Sequence, residues 1–457
     1  MDFPLICAVA TPEGVGGISI IRLSGKGSHE LAEKIFRPHT PFSWEEAKGF
    51  ALHYGHIVYD EKVYDEVLLV MMKEGCSYTK EEMIEIQCHG GFLAAKRIME
   101  LVIALGAKLA LPGEFTKRAF FNGRIDLSQA EAVIETIHAM DEKDLDYSLT
   151  RLQGSKGRSF LKIRDDLIAL IAETEAVIDF PEDGLDDTIA QTIHRRVLAM
   201  IEAIDAEIAK AEEGKVYRQG IATAIAGRTN VGKSSLMNAL LREERAIVTD
   251  IPGTTRDVIE DTVILKGIPL RLMDTAGIRE TLDPVEKIGV DKSLASLKKA
   301  ELILFVTDKN GNFDAEEREI LRGCEGKKVI VIGNKEDVIR YDKDVLKEEA
   351  APHPVVFLSA KEGSHLDDLG EAVRQLFVTG AISAGNDEWV GNLRHKESFL
   401  RAKEHLLDVI DAGETGMPLD FQVIDLRGAL EALGEINGES ISMEVLDRIF
   451  SEFCIGK

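Results

Sequence analysis

Residues Gly227 to Ser234 read GRTNVGKS, a GxxxxGKS run whose glycines let successive backbone N–H groups curl around a chain of phosphates. Lys233 is spaced to reach the outer phosphates and Ser234 to offer a hydroxyl to Mg²⁺, with Asn230, Val231, Gly232 and Ser235 completing the cradle. DTAG follows at Asp274 to Gly277 and NKED, with Lys335, at Asn334 to Asp337. The last of these separates the bases. The Asp337 carboxylate accepts two hydrogen bonds from the N1 and N2 donors of guanine, whereas adenine would leave it unpaired. Ser359, Ala360 and Lys361 follow the apolar run Val355 to Leu358 and read as the loop that closes over the base. A chance glycine-rich turn explains one such motif but not the ordered set, so the chain reads as a guanine-nucleotide hydrolase.

The hydrolytic groups are less ordinary. After Gly277, where many small GTPases carry a glutamine that orients water, stand Ile278, Arg279 and Glu280. An apolar side chain cannot position water, which leaves Glu280, Asp283 and Glu286 as acidic candidates; the plainer reading makes all three solvated charges. Upstream, TDIPGTTRD at Thr249 to Asp257 offers Thr255 as a second Mg²⁺ ligand, on a loop marked by its proline and glycine.

Elements that could position these groups follow from periodicity. Ile221 to Ala226 reads as a buried strand before the phosphate loop, Ser234 to Leu241 as the helix after it, and Lys328 to Ile332 as the strand before NKED. Residues 1–118 mix alternating strands (Ile18 to Leu23, Val67 to Met72) with glycine turns and a helix at Phe92 to Leu105, an α+β texture. From 119 the spacing becomes helical, at Ala130 to Met140, Phe160 to Ile178 and Ile193 to Ala211, and the last stretch is helical again. The reading is therefore multidomain. It comprises an α+β N-terminal domain (1–118), an all-α domain split into 119–215 and 380–457, and an α/β P-loop domain (216–379) inserted between its halves, with breaks at Gly214 and at Gly380 to Gly385.

Composition bounds the possibilities. A chain of 457 residues suggests roughly three domains. Lys plus Arg of 55 against Asp plus Glu of 80 gives a net charge of −25, which argues against a protein that coats nucleic acid by bulk electrostatics. There is no long apolar run, and the start lacks a charged n-region, so a cytoplasmic protein with no membrane association is expected. Five cysteines without CxxC spacing indicate neither a disulfide framework nor a zinc site. GVGG at Gly14 to Gly17 fails the dinucleotide spacing because Ser19 takes the last position, and reads as a turn between strands. CHGG at Cys88 to Gly91 opens a helix, where His89 is either catalytic or, more simply, a cap. Pro112 to Val133 concentrates charge, glycine and a helix start in a surface-like junction. The amphipathic stretch Ile441 to Phe453 would tie down the closing FCIGK, whose Cys454 is by itself an ordinary thiol.

The strings TPEGVGGISIIRLSG, EIQCHGG, PGEFTKRAFFNGRIDLSQAEAV, GRTNVGKSSLMNAL, TDIPGTTRD, DTAGIRE with VEKIG, and the final CIGK together resemble the bacterial tRNA modification GTPases of the MnmE (TrmE) family along essentially the whole chain. The resemblance implies a folate-binding, dimer-forming N-terminal domain, a helical domain and an inserted Ras-like G domain. It implies that, with the flavoprotein MnmG (which carries FAD and uses NADH), in a heterotetramer or larger complex, the protein adds an aminomethyl or carboxymethylaminomethyl group to C5 of the wobble uridine of certain tRNAs. The one-carbon unit would come from a 5-formyl- or methylene-tetrahydrofolate bound by Arg22, Glu85, Arg124 and Lys457, and Cys454 matches a cysteine proposed there as a catalytic thiol. The resemblance further implies hydrolysis of GTP between two facing G domains, with K⁺ held by Asn230, Thr254 and the backbone oxygens of Thr249 and Ile251, and water positioned by Glu286. Thr229 departs from the family's usual proline. A regulatory or ribosome-assembly GTPase is the competing class; it would carry a basic RNA-binding module, and no KH-type GxxG loop in a basic setting is present.

Overall fold

A computed structural model describes residues 3–12, 14–45, 50–139, 142–154, 158–180, 186–243, 261–273, 297–378, 380 and 391–457. The chain divides into two compact units: Met1–Ile137 with Arg151–Gly154 and Glu431–Lys457, and His138–Thr150 with Ser155–Leu430.

The first unit is built on β1 (Ile6–Val9), β2 (Ile18–Ser24), β3 (Phe36–Pro38), β4 (Phe50–Tyr59), β5 (Lys62–Met72), β6 (Met83–His89) and β7 (Lys108–Leu109), in the sheet order β3-β4-β5-β6-β2-β1-β7. All neighbours are antiparallel except β1 and β7. Alternation sorts the two faces. Ile21 and Leu23 of β2 and Ile84 and Ile86 of β6 join a core with α1 (Ser28–Ile35) and α2 (Phe92–Ala104), including Leu31, Ile35, Ile98 and Val102. The residues between them, Arg22 and Glu85, are direct cross-strand partners and share the opposite face. That face is backed by Ile6, Ala8, Met83 and the fully buried Phe115 of α3 (Glu114–Phe121). GVGG lies in the β1–β2 connection as expected.

α4 (Leu127–His138) and the short C-terminal helix close this unit through Leu127, Ala130, Leu446, Phe450 and Phe453. The C-terminal helix is Met443–Ser451, so the expected amphipathic stretch is present and does anchor the tail. His89, expected to cap α2, does not. The cap position is Gly91, with no side-chain hydrogen bond, and the His89 ring instead pairs with Asp65 at 2.8 Å. The reason is register: His89 is the last residue of β6, two positions before the cap, and Asp65 on β5 lies within reach.

The second unit holds a six-stranded sheet of order β13-β12-β11-β8-β10-β9, formed by β8 (Ile221–Ala226), β9 (Asp261–Leu265), β10 (Ile268–Leu272), β11 (Leu302–Thr307), β12 (Lys328–Gly333) and β13 (Val355–Phe357). Only the β9–β10 pair is antiparallel. Every residue of β11 is buried, as a strand covered on both faces requires. The covering helices include α8 (Lys233–Glu243), α9 (Ala315–Gly323), α10 (Lys343–Ala350) and α11 (Leu366–Phe377), over cores centred on Leu236, Leu240, Leu304 and Ile332 on one side and Phe305, Val331 and Leu346 on the other.

Helices α5 (Glu142–Leu152), α6 (Arg158–Asp179), α7 (Asp186–Gln219), α12 (Leu393–Glu414) and α13 (Leu419–Asn437) supply the helical part, and α14 (Met443–Ser451) follows them. α7, which precedes the nucleotide fold, and α12, which follows it, are ion-paired along their length by Lys403 with Asp205 and Lys396 with Glu212, each at 2.6 Å. That side-by-side return is what an insertion at a loop requires. The break expected at Gly214 is absent. α7 runs through it for 34 residues to Gln219, because one glycine weakens a helix by only about 1 kcal/mol while packing along α7 outweighs that. The chain turns instead at Gly220 (φ 65), where an added Cβ would stand 2.8 Å from the Pro269 carbonyl oxygen.

Candidate functional site

The nucleotide groups collect at the carboxyl ends of β8, β11, β12 and β13, as in open parallel sheets generally. The phosphate loop follows β8 directly. Asn230 takes a positive φ of 63, and Gly232 is fixed by crowding, since a Cβ there would lie 2.1 Å from Asn334 Nδ2. Lys233 Nζ donates to the carbonyls of Gly227 at 2.7 Å and Arg228 at 2.5 Å, and its burial lowers its pKa. A phosphate chain seated in this loop would supply the negative charge that burial denies the ammonium. Ser234 and Ser235 open α8, whose N-terminus faces the same space.

The base side is equally specified. Buried Asn334 donates through Nδ2 to the Val231 carbonyl at 2.8 Å and accepts at Oδ1 from the Ala360 N–H at 3.0 Å, which ties the phosphate loop to the loop after β13. Ser359 Oγ donates to Asp337 Oδ1 at 2.7 Å, which fixes the orientation of the carboxylate expected to recognise guanine. Lys335, also at positive φ, bonds the Asn230 carbonyl at 3.0 Å and Asp308 at 2.7 Å. Lys361 is exposed at the rim. Thr249, Ile251, Thr254, Thr255, Asp274, Gly277 and Glu286 lie outside the described residues, as do Glu280 and Asp283.

Sequence reasoning passed over a tether behind this site. Arg228, inside the phosphate loop, pairs with Asp314, which also takes Lys309 at 2.5 Å and accepts from the Glu317 N–H as the N-cap of α9. These partners, Lys309 first, hold the Asp314 carboxyl far below the usual carboxylate range. An N-cap aspartate three residues before a glutamate was the available signal.

A second constellation lies in the first unit. Arg22 donates to Glu85 through Nε at 2.9 Å and Nη2 at 2.8 Å, and through Nη1 to the Gly456 carbonyl at 3.0 Å. The C-terminal tail is thus part of the site. It is held further by Gly113 N–H to the Cys454 carbonyl at 3.5 Å and Phe115 N–H to the Lys457 carbonyl at 3.2 Å. Gly456 sits at φ 92, where a Cβ would meet the Val9 carbonyl oxygen at 2.6 Å, so only glycine passes. Lys457 is half-buried, and burial, then the nearby Arg22, pull its pKa down against the opposing charges of Cys454 and Glu85. Arg124 lies over the Tyr78 ring at 4.7 Å. Cys454 carries an exposed, free thiol. The five residues Arg22, Glu85, Arg124, Cys454 and Lys457 therefore belong to one region, and the tail carbonyls show how closely it is drawn in. Two arginines and a lysine suit a carboxylate-bearing ligand, and Glu85 suits a ring with amino donors.

Among the described residues, no helix is long and apolar enough to cross a membrane. Residues 127–454 match the model of the MnmE helical domain, and residues 5–124 that of the GTP-binding protein TrmE N-terminus. The chain is 45% identical over 460 residues to the tRNA modification GTPase MnmE of Thermoanaerobacter pseudethanolicus, covering 100% of both chains. It is 43% identical, with the same coverage, to the tRNA modification GTPase MnmE of Geobacillus thermodenitrificans. Among solved structures it is similar to the G domain of the T. maritima FeoB iron transporter, at 28% identity and a TM-score of 0.24, covering 34% of this chain and 96% of that one.

Proposed function

Because the chain belongs to the MnmE family of tRNA modification GTPases, we propose that it hydrolyses GTP in the service of a wobble-uridine modification. With the flavoprotein MnmG, it adds an aminomethyl or carboxymethylaminomethyl group to C5 of uridine 34 of certain tRNAs. The observation that carries this reading beyond a GTP switch is the tail of the chain folded onto Arg22, with Lys457 half-buried beside it. Lys457 belongs to the first unit and not to the phosphate loop, so the anion that would offset its burial there is a ligand other than the nucleotide.

Tetrahydrofolate, when bound, supplies the one-carbon unit. In the protein, Arg22, Glu85, Arg124 and Lys457 hold it, with the Glu85 carboxylate, itself paired with Arg22, facing amino donors of its ring and Arg124 and Lys457 facing its acidic groups. Cys454 stands at the edge with an accessible thiol. In the nucleotide fold Lys233 and the loop N–H groups hold the phosphates, Ser234 with Thr255 holds Mg²⁺, and Asp337 selects guanine. Asn230, Thr249, Ile251 and Thr254 hold K⁺ and Glu286 positions water when two G domains meet. The first unit makes the homodimer, and the division into an N-terminal domain, a split helical domain and an inserted G domain follows the family's plan. The protein acts in the cytoplasm.

Calorimetric titration with 5-formyl-tetrahydrofolate tests the one-carbon half: saturable binding weakened by Arg124→Ala and by removal of Lys457 is expected, and no binding by the intact protein would overturn it. GTP turnover in KCl against NaCl tests the other half. Faster turnover in K⁺ is expected, and equal rates would overturn the cation's role.

A further inference from the structure

Tyr78 belongs to no motif and stands in the turn between β5 and β6. Its ring nonetheless lies under both arginines of the Arg22 region, with the guanidinium carbon of Arg124 at 4.7 Å from the ring centroid and that of Arg22 at 5.9 Å. Its hydroxyl bonds the hydroxyl of fully buried Thr116 at 3.0 Å. The turn that carries it is fixed at several points: Ser24 and Thr79 share a hydroxyl–hydroxyl bond of 2.7 Å, Asn122 Nδ2 donates to the Thr79 carbonyl at 2.7 Å, and Ser77 Oγ donates to the Glu81 carbonyl at 2.6 Å. Glu81 in turn binds the buried Arg118 guanidinium at 3.1 Å. A rigid aromatic ring is thereby set within cation–π reach of two guanidinium groups.

We propose that Tyr78 is a positioning residue of this site: its ring steadies the guanidinium groups of Arg22 and Arg124 and holds them ready for an anionic ligand. Arg22 is already held by Glu85 and Gly456, so the gain falls mainly on Arg124, an exposed residue at a loop with a long side chain. An arginine held over a ring loses less rotamer freedom when a ligand arrives, which raises affinity without a new ligand contact.

The inference rests on the folate reading of the same site, and one experiment separates the two. In the full-length protein Tyr78 is replaced by Phe and then by mono-, di- and trifluorinated Phe, and each variant is titrated calorimetrically with 5-formyl-tetrahydrofolate. Fluorine withdraws charge from the ring face with almost no change in shape, so packing alone would give a flat series. Phe is expected to bind within about twofold of the intact protein, and the trifluorinated ring to lose about tenfold, in graded steps. Tyr78→Leu should lose at least as much while GTP turnover, measured as a control, stays unchanged. No binding by the intact protein would overturn the folate reading and this inference with it; binding by the intact protein with a flat fluorinated series would overturn the inference alone.

Discussion

In the nucleotide-binding fold each recognition loop leaves the carboxyl end of a parallel strand, whereas the Arg22 region takes single residues from two strands, a turn, an interhelical loop and the tail. The first design stores its chemistry in short contiguous runs such as GRTNVGKS and NKED. The second stores it in cross-strand register, Arg22 opposite Glu85, and in the return of Gly456 over a sequence separation of 434 residues. A contiguous loop can be read and transplanted as a unit. A site assembled by register depends on the whole first unit being folded, so its ligand response and that unit's stability are bound together.

The two regions are independent if damage to one leaves ligand binding at the other intact. Lys233→Ala removes the buried ammonium of the phosphate loop and should lower GTP affinity by about 100-fold or more, with folate titration unchanged. Arg22→Ala strands Glu85 and releases Gly456; folate affinity should fall by about 30-fold with GTP affinity unchanged, and a GTP defect of similar size would show that the regions are not separable. Ser359→Ala sharpens the picture of the base side. It frees the Asp337 carboxylate and should weaken GTP by about tenfold, as the loss of one hydrogen bond to a charged group implies.

The smallest effect concerns Lys457. Its folded pKa is lowered, so the unfolded chain holds the proton more tightly and stability rises as pH climbs from the lowered value toward the ordinary 10.5. Lys457→Met should abolish that rise, seen as a thermal midpoint that no longer increases with pH over that window. It should also leave the first unit no less stable below it, while folate binding is weakened.

Much of this was legible in residue order. The strand at Ile221 to Ala226 is found where expected, and the strand before NKED extends only one residue further, to Gly333. Alternation in β2 separates Ile21 and Leu23 from Arg22 without any structure. Three features were not legible, for different reasons. Gly214 reads as a break because glycine disfavours helix, yet packing along α7 overrides that preference. His89 reads as a cap because glycines follow it, yet Asp65, 24 residues earlier, claims its ring. Tyr78 carries no local signal, since its importance comes from two arginines that only the folded sheet and α3 bring to it.

The junction at Gly220 carries a mechanical meaning. A helix of 34 residues is about 50 Å long, and it meets the first strand of the nucleotide fold through that one residue. With a single joint crowded against Pro269, there is little slack in which a twist of β8 could dissipate. The long helix then behaves as a lever arm clamped at its short end: an angular change too small to alter any hydrogen bond at the phosphate loop becomes a sweep of several ångströms at the far tip, and α12, pinned alongside by its lysines, is carried with it.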